Sequence, residues 1–235
     1  MQLPDDARQV WITGDPKPGS RREAKHHLVT ETKRLIENIV LFDVDHPDAD
    51  ADEVARLIDA VRSAADRLGR LPSLADKGGP ALSGGDDARL AERSGITGRS
   101  NPVAPPLHIE FDGETTRGWA TYGATYEGPP NCLHGGFIAA AFDDLLGVTQ
   151  MTSGSAGFTG TFVVKMRKPT PLFRRIDYEA GLTRVEGRKI WCWGRSYDGD
   201  LLLAEAEILF ISPKQGMAEI LEPRMRPRET EEQPD

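Results

Sequence analysis

A chain of 235 residues with 38% hydrophobic content can bury a full core without disulfide staples, as one domain or one domain with an appendage. Its formal charge of −8 argues against broad nucleic-acid binding, and the absence of any uncharged apolar run of about 18 residues argues against a membrane span. Two distant cysteines and a start without secretory character make the expected location cytoplasmic.

Residues 1–20 are polar and proline-bearing and read as a flexible arm. From Arg21 to Phe42 the spacing of Leu28, Leu35, Ile39 and Phe42 predicts one apolar stripe of a helix, with His26 and His27 on its solvated start rather than in a ligand site. Asp45-His46-Pro47-Asp48 ends that helix. A second helix follows, with early acids and a stripe of Val54, Leu57, Ile58, Val61, Ala65 and Leu68, and Gly69 closes it. Residues 21–69 are thus a helical hairpin. Such a hairpin buries too little alone and must dock on the main domain or on a partner subunit.

Residues 70–100 have linker composition. Gly84 and Gly85 lack a preceding strand and a Gly-Lys-Ser/Thr ending, so no phosphate loop or cofactor is expected there. Beyond them the pattern turns to strands: Leu107 to Phe111, an Asp112-Gly113 turn, and Thr116 to Tyr126. An apolar helix from Phe137 to Met151 follows. Four further strands are expected at Phe158 to Lys168, Ile176 to Val185, Lys189 to Tyr197 and Leu201 to Ile211, with tight turns at Glu186-Gly187-Arg188 and Asp198-Gly199-Asp200. A charged tail closes the chain at 214–235. Helix and sheet are segregated, an α+β arrangement.

The chemistry concentrates at Asn131-Cys132-Leu133-His134-Gly135-Gly136, which opens the apolar helix. A helix start leaves backbone N–H groups unpaired and partly positive, so Gly135 and Gly136 are candidate donors to an oxyanion or phosphate. Two acids follow, Asp143 and Asp144. Neighbouring helix positions point about 100° apart, so both cannot aim at one spot, and helical geometry does not choose between them. Cys132 stands two residues from His134 in one turn, a spacing that suits packing better than a nucleophile and base pair.

The ordered set Gly128-Pro129-Pro130, His134-Gly135-Gly136, Asp143, Gly147, Lys168-Pro169-Thr170-Pro171 and Val185-Glu186-Gly187-Arg188-Lys189 resembles the hotdog-fold acyl-CoA thioesterases. It is most similar to the phenylacetate-pathway branch and the related mitochondrial thioesterase-superfamily proteins. The resemblance covers about residues 105 to 212 and leaves the first hundred outside. It implies a hotdog fold over 101–213, an antiparallel sheet wrapped around a central helix, and a homodimer or dimer of dimers.

The same resemblance implies hydrolysis of a medium- to long-chain acyl-CoA in lipid metabolism, with no cofactor or metal. Asp143 would be nucleophile or general base, and the Gly135 or Gly136 N–H would polarise the thioester carbonyl from the other subunit. His134 would brace the turn, and Thr159 would orient the attacking water. Positions matching Lys165, Arg167, Arg184 and Arg188 would lie near coenzyme A; Lys168 clusters with the first two, and Asn131 is a further substrate-binding candidate that could instead serve the turn, since asparagine tolerates left-handed geometry. Some family members carry a second carbonyl-polarising asparagine six residues before the histidine, where this chain has Gly128. Two rivals stand beside this reading. One is a non-catalytic acyl-CoA-binding or regulatory hotdog protein; the other is a hotdog dehydratase, disfavoured because no histidine follows Asp143.

Overall fold

The computed structural model describes residues 16–73, 92–111 and 115–214. The Asp112-Gly113 turn, residues 1–15 of the expected arm, 74–91 of the expected linker and 215–235 of the expected tail lie outside them.

Six strands form one antiparallel sheet: β1 (His108–Phe111), β2 (Thr116–Thr121), β3 (Phe158–Met166), β4 (Arg175–Glu186), β5 (Lys189–Asp198) and β6 (Leu201–Ile211). Their spatial order is β1-β2-β4-β5-β6-β3. Two-residue loops join β4 to β5 and β5 to β6, with Gly187 and Gly199 at φ +58°, where glycine meets no Cβ penalty. β2 stops at Thr121, short of the expected Tyr126, because Ala124–Tyr126 coils into a 3-10 turn.

Among the described residues the helices α1 (Arg21–Leu41), α2 (Ala51–Gly69) and α3 (Gly135–Thr149) accompany the sheet. α3 is the central element. Its Phe142, Leu145 and Leu146 are fully buried against the inward row of the strands: Ile176, Tyr178 and Ala180 of β4, Ile190 and Cys192 of β5, and Ala206, Ile208 and Phe210 of β6. The period of two along each strand puts these residues on one face, and burial of each large side chain contributes about 1.5–3 kcal/mol. Helix and sheet are in tight contact at Gly194, where a Cβ would meet the Phe142 ring at 3.0 Å. This is the α+β hotdog arrangement, a helix enclosed by an antiparallel sheet.

The N-terminal helices depart from the expected packing. α1 docks by its polar side: His26 and Val29 are buried, and His26 Nε2 lies 2.8 Å from Glu92 Oε2. The expected solvated His26 is therefore a buried partner of an acid. Its expected apolar stripe, Leu28, Leu35, Ile39 and Phe42, is exposed instead. α2 buries none of its residues, and Leu57, Ile58, Val61 and Leu68 are also exposed. Among the described residues no helix is long and apolar enough to cross a membrane.

Candidate active site

α3 begins where sequence chemistry stops the preceding loop. Asn131 sits at φ +59°, the left-handed region that asparagine tolerates, and its carbonyl accepts the Leu172 N–H at 3.2 Å. The side chain of Asn131 is on an exposed residue, and its backbone N–H donates to Glu127 Oε1 at 2.6 Å. His134 is the extended N-cap of α3, and its Nδ1 accepts the Gly136 N–H at 3.0 Å. Histidine here replaces the usual Ser, Thr, Asp or Asn cap, with a ring nitrogen as acceptor.

That bond separates the two glycines. The Gly136 N–H, expected as an alternative oxyanion donor, is taken up by His134. The Gly135 N–H has no hydrogen-bond partner among the described residues. Gly135 is half-buried beneath the Met166 thioether, and a Cβ there would come within 2.9 Å of Met166 Cε. The free donor is therefore a single N–H at the positive end of a buried helix.

The acids diverge as their 100° offset requires. Asp144 turns toward the 94–97 segment and accepts from Ser94 Oγ at 3.0 Å and Thr97 Oγ1 at 2.8 Å. Burial pushes its carboxyl pKa above the ordinary value against the pull of those two hydroxyls, and neighbouring Asp143 adds to the rise. Asp143 is exposed on the other side, where Thr159 Oγ1 of β3 donates to its Oδ1 at 3.4 Å. Ser94 and Thr97 lie in the stretch read as linker, and nothing in their local pattern names the acid they meet.

Within one chain Gly135 and Asp143 do not converge. Eight helical residues separate them, which is about 12 Å along the axis at 1.5 Å per residue. A reacting carbonyl must sit about 3 Å from both an oxyanion donor and an attacking group. β3, which carries Thr159, is an outer strand, and its Phe158, Val163 and Met166 are exposed.

The expected cations fall into two groups. Lys165, Arg167 and Lys168 lie toward the Gly135 end of the sheet; Lys165 pairs with Glu207 at 3.4 Å and Arg167 with Glu205 at 2.8 Å. Arg184 stacks 3.9 Å from the Trp191 ring and bonds Glu186 at 2.9 Å, while Arg188 donates to the Ser212 carbonyl at 3.0 Å. Arg184 shares its cross-strand row with Thr161 of β3, four strand residues or about 13 Å from Lys165 along the strand direction, and Arg188 lies further on, in the β4–β5 turn. The five are strung along the sheet, with Arg184 and Glu207, the partner of Lys165, lining one surface groove. All five are exposed, so their surface pairs are weak and exchangeable for phosphate.

Neither cysteine contacts these groups. Cys192 faces the core, where burial pushes its thiol up to about 12, and Cys132 is half-buried in the bridge to Pro171.

Comparison with known proteins agrees with the fold. No family profile matches the chain. The Xenopus laevis acyl-coenzyme A thioesterase THEM4 is 34% identical over 91 residues, 38% of this chain and 41% of that protein. Mouse THEM4 is also 34% identical over 91 residues, covering 39% of its length. The chain thus matches about two fifths of the length of these curated relatives. A solved crystal structure of a thioesterase superfamily protein is 26% identical, with a TM-score of 0.65 over 83% of this chain and 97% of that one. That share is larger than residues 101–213 alone could supply. Strand order and enclosed helix are those of a hotdog fold, and the chain is similar to acyl-coenzyme A thioesterases and to a thioesterase superfamily protein.

Proposed function

We propose that this protein is an acyl-CoA thioesterase acting at a site shared between two copies of the chain. The observation that carries the reading is the Thr159 hydroxyl on Asp143 Oδ1, on the exposed side of α3. A hydroxyl in that place holds the carboxylate and presents an oxygen to water. The single free N–H of Gly135 supplies the complementary group. Their separation of about 12 Å within a chain calls for Asp143 from one protomer and Gly135 from the other.

In the resulting reaction the Gly135 N–H stabilises the oxyanion as the thioester carbon becomes tetrahedral. Asp143 either takes the proton of an attacking water held by Thr159 or adds directly to the carbonyl carbon. In both routes the C–S bond breaks and coenzyme A departs as a thiolate, a leaving group that needs little protonation; after direct attack, water cleaves the mixed anhydride to free the acid and restore Asp143. His134 fixes the turn through Nδ1 and is not required for proton transfer. The exposed cations, Lys165, Arg167 and Lys168 at one end and Arg184 and Arg188 at the other, meet the phosphates of coenzyme A when a second protomer is present. Asn131 serves the turn beside the carbonyl. Medium- to long-chain acyl groups, a role in lipid metabolism and a cytoplasmic location belong to the same proposal. So does a role for the N-terminal helices in extending the dimer interface or shielding the acyl chain.

The curated relatives named as acyl-coenzyme A thioesterases support the substrate class. The test is thiol release from acyl-CoAs of graded length by wild-type protein and Asp143→Asn. Chain-length-dependent release that the variant loses supports the reading. Release from none of them, or an unimpaired variant, sinks it.

A further inference from the structure

The 3-10 turn at Ala124–Tyr126 has an unusual cap. Its own N-cap residue is Gly123, which has no side chain to accept the turn's first N–H groups. The acceptor comes from 87 residues earlier in the chain. Glu37, on the docked side of α1, takes the Ala124 N–H at 2.7 Å, the Thr125 N–H at 3.1 Å and the Thr125 hydroxyl at 2.5 Å. Glycine at 123 makes this possible, since any Cβ there would run into the Glu37 carboxylate. Partial burial alone would raise the Glu37 pKa. The Thr125 and Ala124 donors outweigh it and hold the carboxyl below its ordinary value, so it is ionised at neutral pH.

The capped turn leads directly to the glycine turn. Tyr126, its last residue, accepts the His134 N–H on its carbonyl at 2.9 Å. Its ring packs edge-on against Phe137 of α3 at 5.0 Å between centroids. His134 in turn caps α3 through Nδ1. Three consecutive contacts therefore run from α1 to the N–H that faces the proposed carbonyl: Glu37 to the 124–126 turn, Tyr126 to His134, and His134 to the start of α3.

We propose that Glu37 is a positioning residue for the oxyanion turn, making α1 part of the catalytic unit rather than an appendage to it. The inference rests on the thioesterase reading for its effect on rate. Loss of the carboxylate leaves two backbone donors and a hydroxyl uncapped, loosens Tyr126 and lets the Gly135 N–H drift from its direction. Substrate binding elsewhere on the surface is untouched.

The test uses the full chain with Glu37→Ala, Glu37→Gln and a same-helix control, Glu31→Gln, whose carboxylate pairs with exposed Arg34. Steady-state hydrolysis of an acyl-CoA is read together with amide hydrogen exchange across residues 123–137. Expected for Glu37→Ala is a fall in kcat of about tenfold, since small misplacements remote from the chemistry carry costs of this order, with KM within about twofold. Glu37→Gln, which keeps length and one acceptor oxygen, falls roughly threefold by the same argument. Exchange at 123–137 accelerates in both, and Glu31→Gln matches wild type.

An unchanged kcat in folded Glu37→Ala, with only melting temperature lowered, overturns the inference and leaves the thioesterase reading intact. If wild type releases no thiol, the thioesterase reading fails, and unaltered exchange in Glu37→Ala then overturns the coupling independently. Should Glu37→Ala not fold, Thr125→Val removes one of the three donors and is expected to change kcat and exchange in the same direction. Wild-type values for that variant overturn the proposal.

Discussion

Thr159 Oγ1 donates to Asp143 Oδ1 at 3.4 Å, linking an outer strand of the sheet to the middle of the enclosed helix. The carboxylate is exposed, so the threonine orients it rather than protecting it from solvent. Thr159→Ala is expected to lower kcat roughly tenfold, the size of one lost positioning contact, and Thr159→Ser to retain most of it. Asp143→Asn should lose about 10² to 10⁴ in kcat, the usual worth of a general base. Thiol release under saturating substrate measures both.

Gly135 offers an unusually clean way to delete a backbone donor. It is the first residue of α3, a position that favours proline, and His134 before it is extended at φ −62° and ψ 134°, as a residue preceding proline should be. Gly135→Pro therefore removes the N–H while keeping the helix start, and its Cβ displaces the end of the Met166 side chain. The expected loss is about 10² to 10³ in kcat with little change in melting temperature.

A shared site makes the two dead variants complement each other. Co-refolded Asp143→Asn and Gly135→Pro chains should recover about a quarter of wild-type activity, because random pairing of a two-fold dimer makes half of the pairs mixed, each with one intact site. Activity of the mixture no higher than that of either parent would show that the site is not divided in this way.

Asp144 is expected to behave oppositely to its neighbour. Its Oδ2 accepts from both Ser94 and Thr97, so Asp144→Asn should keep turnover within a few-fold while loosening the 94–97 segment. Limited proteolysis at that segment, alongside kinetics, distinguishes the two aspartates.

Acid should release α1 before it unfolds the sheet. Glu37 and Glu92 both have folded pKa values below the ordinary 4.5: burial, which would raise them, is outweighed by hydrogen bonds, from Thr125 and Ala124 for the first and from Ser100 and His26 for the second. A depressed carboxylate contributes its full stability above 4.5 and loses it as pH falls through the lower folded value. Hydrogen exchange in residues 21–41 should therefore accelerate below that point while β4 and β5 stay protected. Glu37→Gln combined with Glu92→Gln should give fast exchange in α1 already at neutral pH.

Local pattern was enough for much of this protein. Strand alternation and Gly187 and Gly199 in two-residue turns were legible because a period of two and a left-handed glycine are properties of neighbouring residues. The same holds for the start of α3, where His134-Gly135-Gly136 combines a capping acceptor with small residues. What local pattern could not decide was every relation between groups distant in the chain. Apolar spacing on α1 pointed to Leu28, Leu35, Ile39 and Phe42 as its docked face, yet α1 docks through His26, Val29 and Glu37, because Glu92, Ala124 and Thr125 offer it charged and hydrogen-bonding partners. Periodicity records how residues repeat along a helix and is blind to which surface awaits it. The choice between Asp143 and Asp144 is of the same kind: adjacent residues of identical chemistry are separated only by what folds against each side of α3, Ser94 and Thr97 on one and Thr159 on the other.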